Sequence, residues 1–338
     1  MDIKWYKYYF ANKFQLKYVE YRNILASKGF GKEYSISEIK RYAKKNVLSC
    51  GETNEYISRR IQQGAPCFVG RFGGNELQMV VSLLKKSSYS LYRQDFLDSL
   101  CSNAGFFPND LKYAELFKNL MLDSCEQIDL CGIWNLFMED YVLERYAPNC
   151  SLTILGSLEP FILYWQNNTI TTKPWTHSLI GKKVLVIHPF ANTIKKQYEE
   201  NRENIFKNIY PADDILPKFE LITLKAVQTI NGTEANQYTD WFDALGSMIK
   251  KCRTIDFEVA IIGCGAYGFP LAAEIKKMGK VAIHLGGVTQ RLFGIKGKRW
   301  TQGSYGEQSK VMENEYWVYP TKDERPKDFD KIEGGCYW

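Results

Sequence analysis

The stretch EVAIIGCGAYGFPLAAEIKKMGKVAIHLGGVTQRLFGIKGKRW, residues 258–300, decides the fold. It opens on an apolar run, Val259-Ala260-Ile261-Ile262, of the kind a strand shows when both faces of a parallel sheet are covered. The run breaks at Gly263-Cys264-Gly265-Ala266-Tyr267-Gly268, resumes as a helical pattern through Lys277, and gives way to a second apolar run at Val281-Ala282-Ile283. Strand, glycine turn, helix and strand make one βαβ unit. A glycine turn feeding a helix offers bare backbone N–H groups and a positive dipole end to a phosphate. Basic residues Arg291, Lys296, Lys298 and Arg299 follow closely. The turn residues Gly263, Gly265, Ala266, Tyr267 and Gly268 therefore predict a site for a phosphorylated or nucleotide-linked ligand. The plainer alternative is that the glycines only let helix and strand pack closely. The spacing G-x-G-x-x-G is the dinucleotide fingerprint, yet His284 and Leu285 stand where a ribose-binding carboxylate would end the second strand, which argues against NAD.

Working outward, apolar runs at 67–71, 128–133, 152–155, 183–187 and 219–224 alternate with helical patterns at about 76–86, 96–125, 192–209 and 237–252. Asn192 or Thr193 is the expected cap of the helix at 192, and Asp240 with Asp243 begin the helix near 240. Upstream, residues 3–27, 37–46 and 52–62 read as helices. The fold class expected is α/β, a doubly wound, mainly parallel Rossmann-like sheet with an N-terminal helical extension. The division expected is an extension over 1–63 and a domain over 64–338, in two halves, 64–175 and 176–338, with the boundary near 169–181.

Composition bounds the function. The chain has 338 residues, 44 basic against 38 acidic, for a net charge of +6. That mild excess suits anionic small substrates or an anionic surface. The basic residues form no long stripe of the kind nucleic-acid binding needs. Nine cysteines stand as single residues without a CxxC pair. Together with the lack of a signal-peptide pattern, this predicts a reducing, cytoplasmic setting. No apolar run approaches the length of a membrane span. Residues 1–22 mix aromatic and basic side chains. Such a helix packs its aromatic face on the body or on a second subunit, or lies peripherally at the inner face of a membrane.

In open α/β sheets ligands bind at the carboxyl ends of the strands. The residues expected there are Arg71, Gly73, Gly74, Asn75 and Glu76, the segment Gly156-Ser157-Leu158-Glu159, His188-Pro189, the 263–268 turn, and His284 with Gly286 and Gly287. Glu76 reads as a base, a metal ligand or a helix-dipole carboxylate, and His188 and His284 as phosphate donors or acid–base groups. The ending Gly334-Gly335-Cys336-Tyr337-Trp338 reads as a lid or the wall of an acceptor site.

Several blocks carry a resemblance: VIHPFANTIKKQYEENR (186–202), LKAVQTINGT (224–233), WFDALGSM (241–248), IIGCGAYGFPLAAEIKKMGK (261–280), HLGGVTQRLFGIKGKRW (284–300) and EGGCYW (333–338). They resemble a bacterial family of capsule and surface-polysaccharide gene clusters, similar to glycosyltransferases assigned a GT-D fold. The resemblance covers most of the chain from about residue 60. It implies transfer of a sugar from a nucleotide-sugar donor to a glycan or lipid-linked acceptor, with a metal held by an Asp-x-Glu motif inside Arg-aromatic-Gly-Asp-Gly-Glu. The matching segment is Arg71-Phe72-Gly73-Gly74-Asn75-Glu76, where Gly74 takes the aspartate position and puts metal use in doubt. The resemblance thus implies Mn2+ or Mg2+ on Glu76 as sole carboxylate. A metal-free site is physically available, with Arg71, Lys298 and Arg299 neutralising the leaving diphosphate. Arg71, Glu76 and His188 are the expected catalytic residues. The losing aspartate also leaves open a non-catalytic nucleotide-binding or scaffold subunit, or another transferase acting on a nucleotide-activated precursor.

Overall fold

Alternation along each apolar run sends neighbouring side chains to opposite faces of one sheet. In the β6 strand Lys183–His188, Leu185 and Ile187 join the core layer on one face, while Val184 and Val186 join the layer on the other. Ile262 and Ala260 of a neighbouring strand fall in the first layer, Ile261 and Val259 in the second. A strand with two buried faces needs helices on both, which is the doubly wound arrangement.

The computed structural model describes residues 3–32, 34–84, 91–166, 173–209, 215–232, 235–326, 329 and 334–338. The chain begins with α1 (Ile3–Ser27), then β1 (Arg41–Tyr42), β2 (Lys45–Leu48) and α2 (Cys50–Gln63). Next come β3 (Cys67–Gly70), α3 (Gly74–Leu84), α4 (Arg93–Ala104), α5 (Leu111–Cys125), β4 (Leu130–Ile133), α6 (Glu139–Tyr146), β5 (Ser151–Ile154) and α7 (Ile162–Gln166). The second half holds β6, α8 (Ala191–Ile205), β7 (Glu220–Lys225), α9 (Trp241–Thr254), β8 (Val259–Ile262), α10 (Gly268–Lys277), β9 (Val281–His284), α11 (Val288–Leu292) and α12 (Gly303–Met312). Among the described residues the strands form one nine-stranded sheet, ordered β1-β2-β5-β4-β3-β9-β8-β6-β7. Only β1 and β2 pair antiparallel; every other pairing is parallel. The α/β, mainly parallel, doubly wound class expected from the sequence is what the structure shows. The halves meet where β3 pairs with β9.

The segment 37–46 departs from the helix expected of it. It forms a short 3-10 turn, Ile36–Glu38, and the β1–β2 hairpin, whose two-residue loop Ala43-Lys44 has φ of 46° and 63°. Positive φ at both loop positions matches the right-handed twist of paired strands. Val47 and Leu48 then pair with Leu152 and Thr153, and Lys45 Nζ donates to the Ala147 and Cys150 carbonyls at 2.7 and 2.9 Å. Tertiary pairing thus overrides the local helical pattern, and the N-terminal segment lends the sheet an edge. The cap of α8 is also not the one expected. Glu324, distant in sequence and buried, accepts from the Asn192 and Thr193 amides at 2.8 and 3.2 Å. The Thr169 end of the expected boundary and the end of the helix expected to reach 86 lie outside the described residues. Among the described residues no helix is long and apolar enough to cross a membrane.

Candidate functional site

The carboxyl ends of β3, β4, β5, β6, β8 and β9 open onto a cleft of about 450 Å³, a size suited to a small-molecule ligand. Each strand stops in a turn at the same edge of the sheet, and the residues just past its end line the cleft, with bare glycine backbone after β8. Of the residues singled out from the sequence, Arg71, Gly73, Gly74, Asn75, Glu76 and His188 line it. So do Gly263, Gly265, His284, Gly286, Gly287 and Arg299.

Arg71 follows β3 directly. Its guanidinium carbon lies 5.3 Å from the centre of the Trp134 ring, and Nη1 donates to the Phe72 carbonyl at 3.0 Å. Trp134 Nε1 donates to the same carbonyl at 2.7 Å, so indole and guanidinium hold each other's place. Arg299 comes from the far side, 5.0 Å over the Tyr337 ring and hydrogen-bonded to its hydroxyl. Its amide donates to the Cys336 carbonyl at 2.8 Å. Tyr337 and Trp338 of the aromatic ending line the cleft, and the Trp338 ring packs 6.0 Å from Phe190. Lys298 is placed elsewhere. Its Nζ donates to the Gly334 carbonyl at 3.4 Å, outside the lining, because the turn at 297–301 points it to solvent.

Three helix N-termini at this edge, those of α3, α8 and α10, are already covered. At α3, the Glu76 carboxylate folds back on the turn, so that a Cβ on Gly73 would meet Oε2 at 1.8 Å. At α8, the Glu324 carboxylate holds the first amides. At α10, the His284 ring lies over Gly268, with Cε1 2.2 Å from where a Cβ would stand. Ala266, Tyr267 and Gly268 do not line the cleft. They are buried beneath it, Tyr267 stacked 4.8 Å from Trp241 and sharing a 2.6 Å hydrogen bond with the Thr229 hydroxyl. This part of the glycine turn serves close packing, the plainer of the two alternatives. Positive charge at the cleft wall therefore comes from two guanidinium groups, Arg71 and Arg299.

Both histidines are buried and uncharged. His188 Nδ1 accepts from the Phe190 amide at 3.0 Å, which assigns its proton to Nε2. His284 Nδ1 lies 3.3 Å from the Ile262 carbonyl, which can only accept, so its proton sits on Nδ1 and Nε2 keeps a lone pair. Burial pushes each down to about 3, with Arg71 adding to the effect at His284. Neither is an imidazolium at neutral pH. They are opposite tautomers, a donor and an acceptor.

Sequence reasoning named Glu159 only as part of a strand end and missed Tyr305. Both line the cleft. Tyr305 donates to Glu159 Oε1 at 2.9 Å, and Arg291 Nη1 stands 3.8 Å from Oε2. Arg291 is completely buried, its guanidinium 4.8, 5.4 and 5.0 Å from the Phe161, Trp300 and Tyr305 rings. Burial raises the Glu159 carboxyl to about 7 against the pull of Arg291 and Tyr305. The detectable signal was Arg291 itself: an arginine in an apolar pattern needs a carboxylate partner. Another buried carboxyl, Glu139, fixes the loop after β4. Its Oε2 accepts from the Trp134 and Asn135 amides at 2.8 and 3.0 Å, beside left-handed Asn135, Phe137 and Met138 at φ 59°, 51° and 56°. That loop presents Trp134, Leu136 and Phe137 to the cleft.

A metal finds one protein carboxylate at the β3 turn, Glu76. Gly74 offers no side chain, and Asn75 Oδ1 already accepts from Ser99 at 3.0 Å. Among the described residues no three metal-ligating side chains gather. This donor set does not fit a protein-built divalent site.

No family model and no curated protein matches the chain. Two solved structures are similar to it. One is a selenomethionine-substituted domain of unknown function 1792, 13% identical over 75% of this chain and 82% of its own, with a TM-score of 0.39. The other, described as a domain of unknown function 1792 with a distinct glycosyltransferase fold, is 13% identical over 73% of this chain and 80% of its own, with a TM-score of 0.38.

Proposed function

We propose that the protein is a glycosyltransferase moving a sugar from a nucleotide-sugar donor to a surface-polysaccharide precursor, a glycan or lipid-linked acceptor, on the cytoplasmic side. One observation carries the reading. Two guanidinium groups and a buried acid with a raised pKa share one aromatic-walled cleft at the strand ends. The resemblance of Arg71-Phe72-Gly73-Gly74-Asn75-Glu76 to the Arg-aromatic-Gly-Asp-Gly-Glu motif of GT-D enzymes supports it, with Arg71, Phe72, Gly73 and Glu76 kept and the aspartate position taken by Gly74.

In this reading an acceptor hydroxyl forms a bond to the anomeric carbon while the bond from that carbon to the diphosphate oxygen breaks. The electron pair leaves with the nucleoside diphosphate. Arg71 and Arg299 neutralise its growing charge in place of a metal. The acceptor proton passes to a carboxylate. Glu76 beside Arg71 and Glu159 beneath Tyr305 are the two candidates, and a base poised near 7 favours Glu159. His188 Nε2–H and His284 Nε2 supply a fixed donor and acceptor for sugar or phosphate oxygens. The trade of aspartate for Gly74 favours a second reading, a nucleotide-binding scaffold subunit without turnover.

The test is a melting screen against UDP-, GDP-, dTDP- and CMP-sugars followed by product analysis. A ligand that binds the native state raises the melting temperature by mass action. One nucleotide family should stabilise the protein and yield free nucleoside diphosphate with a new glycoside. Binding without turnover would select the scaffold reading. No shift with any donor would end both.

A further inference from the structure

The helix α1 is divided lengthwise between the protein and something else. One face is anchored: Trp5 and Tyr9 are buried and stacked 5.1 Å apart, and Asn12 donates to Asp140 at 3.0 Å and accepts from the Met138 amide at 2.9 Å. Tyr8 bonds Glu144. These contacts fix the rotation of the helix. On the opposite face, Phe10, Phe14, Tyr21 and Ile24 are 64%, 74%, 63% and 45% exposed. Their spacing of i, i+4, i+11 and i+14 makes one stripe, into which Lys13 and Lys17 fall at i+3 and i+7. Lys4 and Lys7 flank it, and Glu20 is the single acid between residues 3 and 32.

We propose that this stripe docks the protein on an anionic lipid surface, with the helix lying in the interfacial plane. Aromatic rings and Ile24 would enter the boundary between headgroups and acyl chains while the lysines meet the headgroup charge. The charge selects this occupant over a second copy. A two-fold contact would place the same lysine-bearing stripe against itself and gather like charges. The docked helix would bear on the cleft, since Asn12 bonds the Met138 amide at the end of the loop that lines it. The inference stands apart from sugar transfer, because lipid binding needs neither donor nor turnover.

The experiment is flotation of the full chain with phosphatidylcholine vesicles, with and without phosphatidylglycerol. The variants are Phe14→Ser/Ile24→Ser and Lys7→Glu/Lys17→Glu. All four side chains are exposed, so circular-dichroism melting should match the parent. The parent should float with the anionic vesicles and lose most of that binding at high salt. Charge reversal should weaken partitioning at least about a hundredfold, since two attractions are lost and two repulsions added. The apolar variant should fail on both vesicle types. Absence of flotation with anionic vesicles, or unchanged flotation of either variant, would overturn the proposal. So would a dimer in light scattering that the apolar substitutions dissolve, or tighter retention on single-stranded DNA than on vesicles.

Discussion

The Arg71 guanidinium occupies the space a side chain would fill at Gly286, where a Cβ would come within 2.1 Å of Nη2. Gly286 itself sits at φ +62, so β9 ends in a left-handed turn that leaves a floor for the arginine. Gly286→Ala should push Arg71 off the cleft. Gly279→Ala is the control, because Gly279 has φ +83 with nothing within 4 Å of the added carbon. Both should lose about 1 kcal/mol of stability to backbone strain. Only Gly286→Ala should also lose the melting shift given by the donor. A full donor shift in that variant would remove Arg71 from the binding site.

Glu159 should set a limb of the pH–rate profile. A base must be ionised to accept a proton, so turnover should rise with pH through about 7 and level above it. Glu159→Gln should cut turnover by roughly 10²–10⁴ and flatten that limb, with the donor melting shift retained. Tyr305→Phe removes a hydrogen bond that lowers the carboxyl pKa, so the limb should move to higher pH. Glu76→Gln is the companion variant. If it alone abolishes turnover while Glu159→Gln does not, the base is Glu76.

Stability should fall away on both sides of neutral pH for separate reasons. The histidine pKa values drop from 6.5 to about 3 on folding, so the unfolded chain binds more protons below 6.5. Stability is then lost as pH falls through that window. Glu139 runs the other way, raised from 4.5 to about 8 by burial. Here the folded chain binds the extra proton, and stability is lost as pH rises from 4.5 through 8, by up to about 5 kcal/mol. Glu139→Gln keeps an acceptor for the Trp134 and Asn135 amides. It should melt with the parent near about pH 4, pull ahead as pH rises past 4.5, and melt well above the parent near about pH 9. Parallel melting curves across that range would show that Glu139 carries charge in the native state.

How much of this was legible in the sequence follows from where each signal is stored. The strands β3, β6, β8 and β9 are apolar runs because both their faces are covered, and one sequence window suffices to see that. The β1–β2 hairpin was hidden, since its stability lies in pairing with Leu152 and Thr153 about a hundred residues on. Strand ends located Arg71, Glu76, His188 and His284 at one edge of the sheet. The glycine turn misled because spacing reveals that a helix N-terminus is bare, not what lies over it. The His284 ring over Gly268 and the Glu324 carboxylate on α8 come from elsewhere in the chain. Glu159 gave no local hint of a raised pKa, which only the burial of its surroundings creates.

Metal use offers the sharpest test of how the diphosphate is held. If Arg71 and Arg299 carry the charge, the donor melting shift should be the same with Mn2+ and with a chelator, because Glu76 alone cannot complete a divalent site. Gly74→Asp would restore the carboxylate of the Asp-x-Glu pattern in the first turn of α3. The position has room: the nearest atom to an added Cβ is Phe137 Cε2 at 4.0 Å, and φ there is not in the left-handed region. The new carboxylate stands two residues before Glu76 and near the cleft that Arg71 enters. Without metal it should repel the diphosphate and weaken the donor shift. With Mn2+ it should bind the ion jointly with Glu76 and recover that shift. A parent shift that vanishes with the chelator would show that a cation, not the two arginines, holds the phosphate.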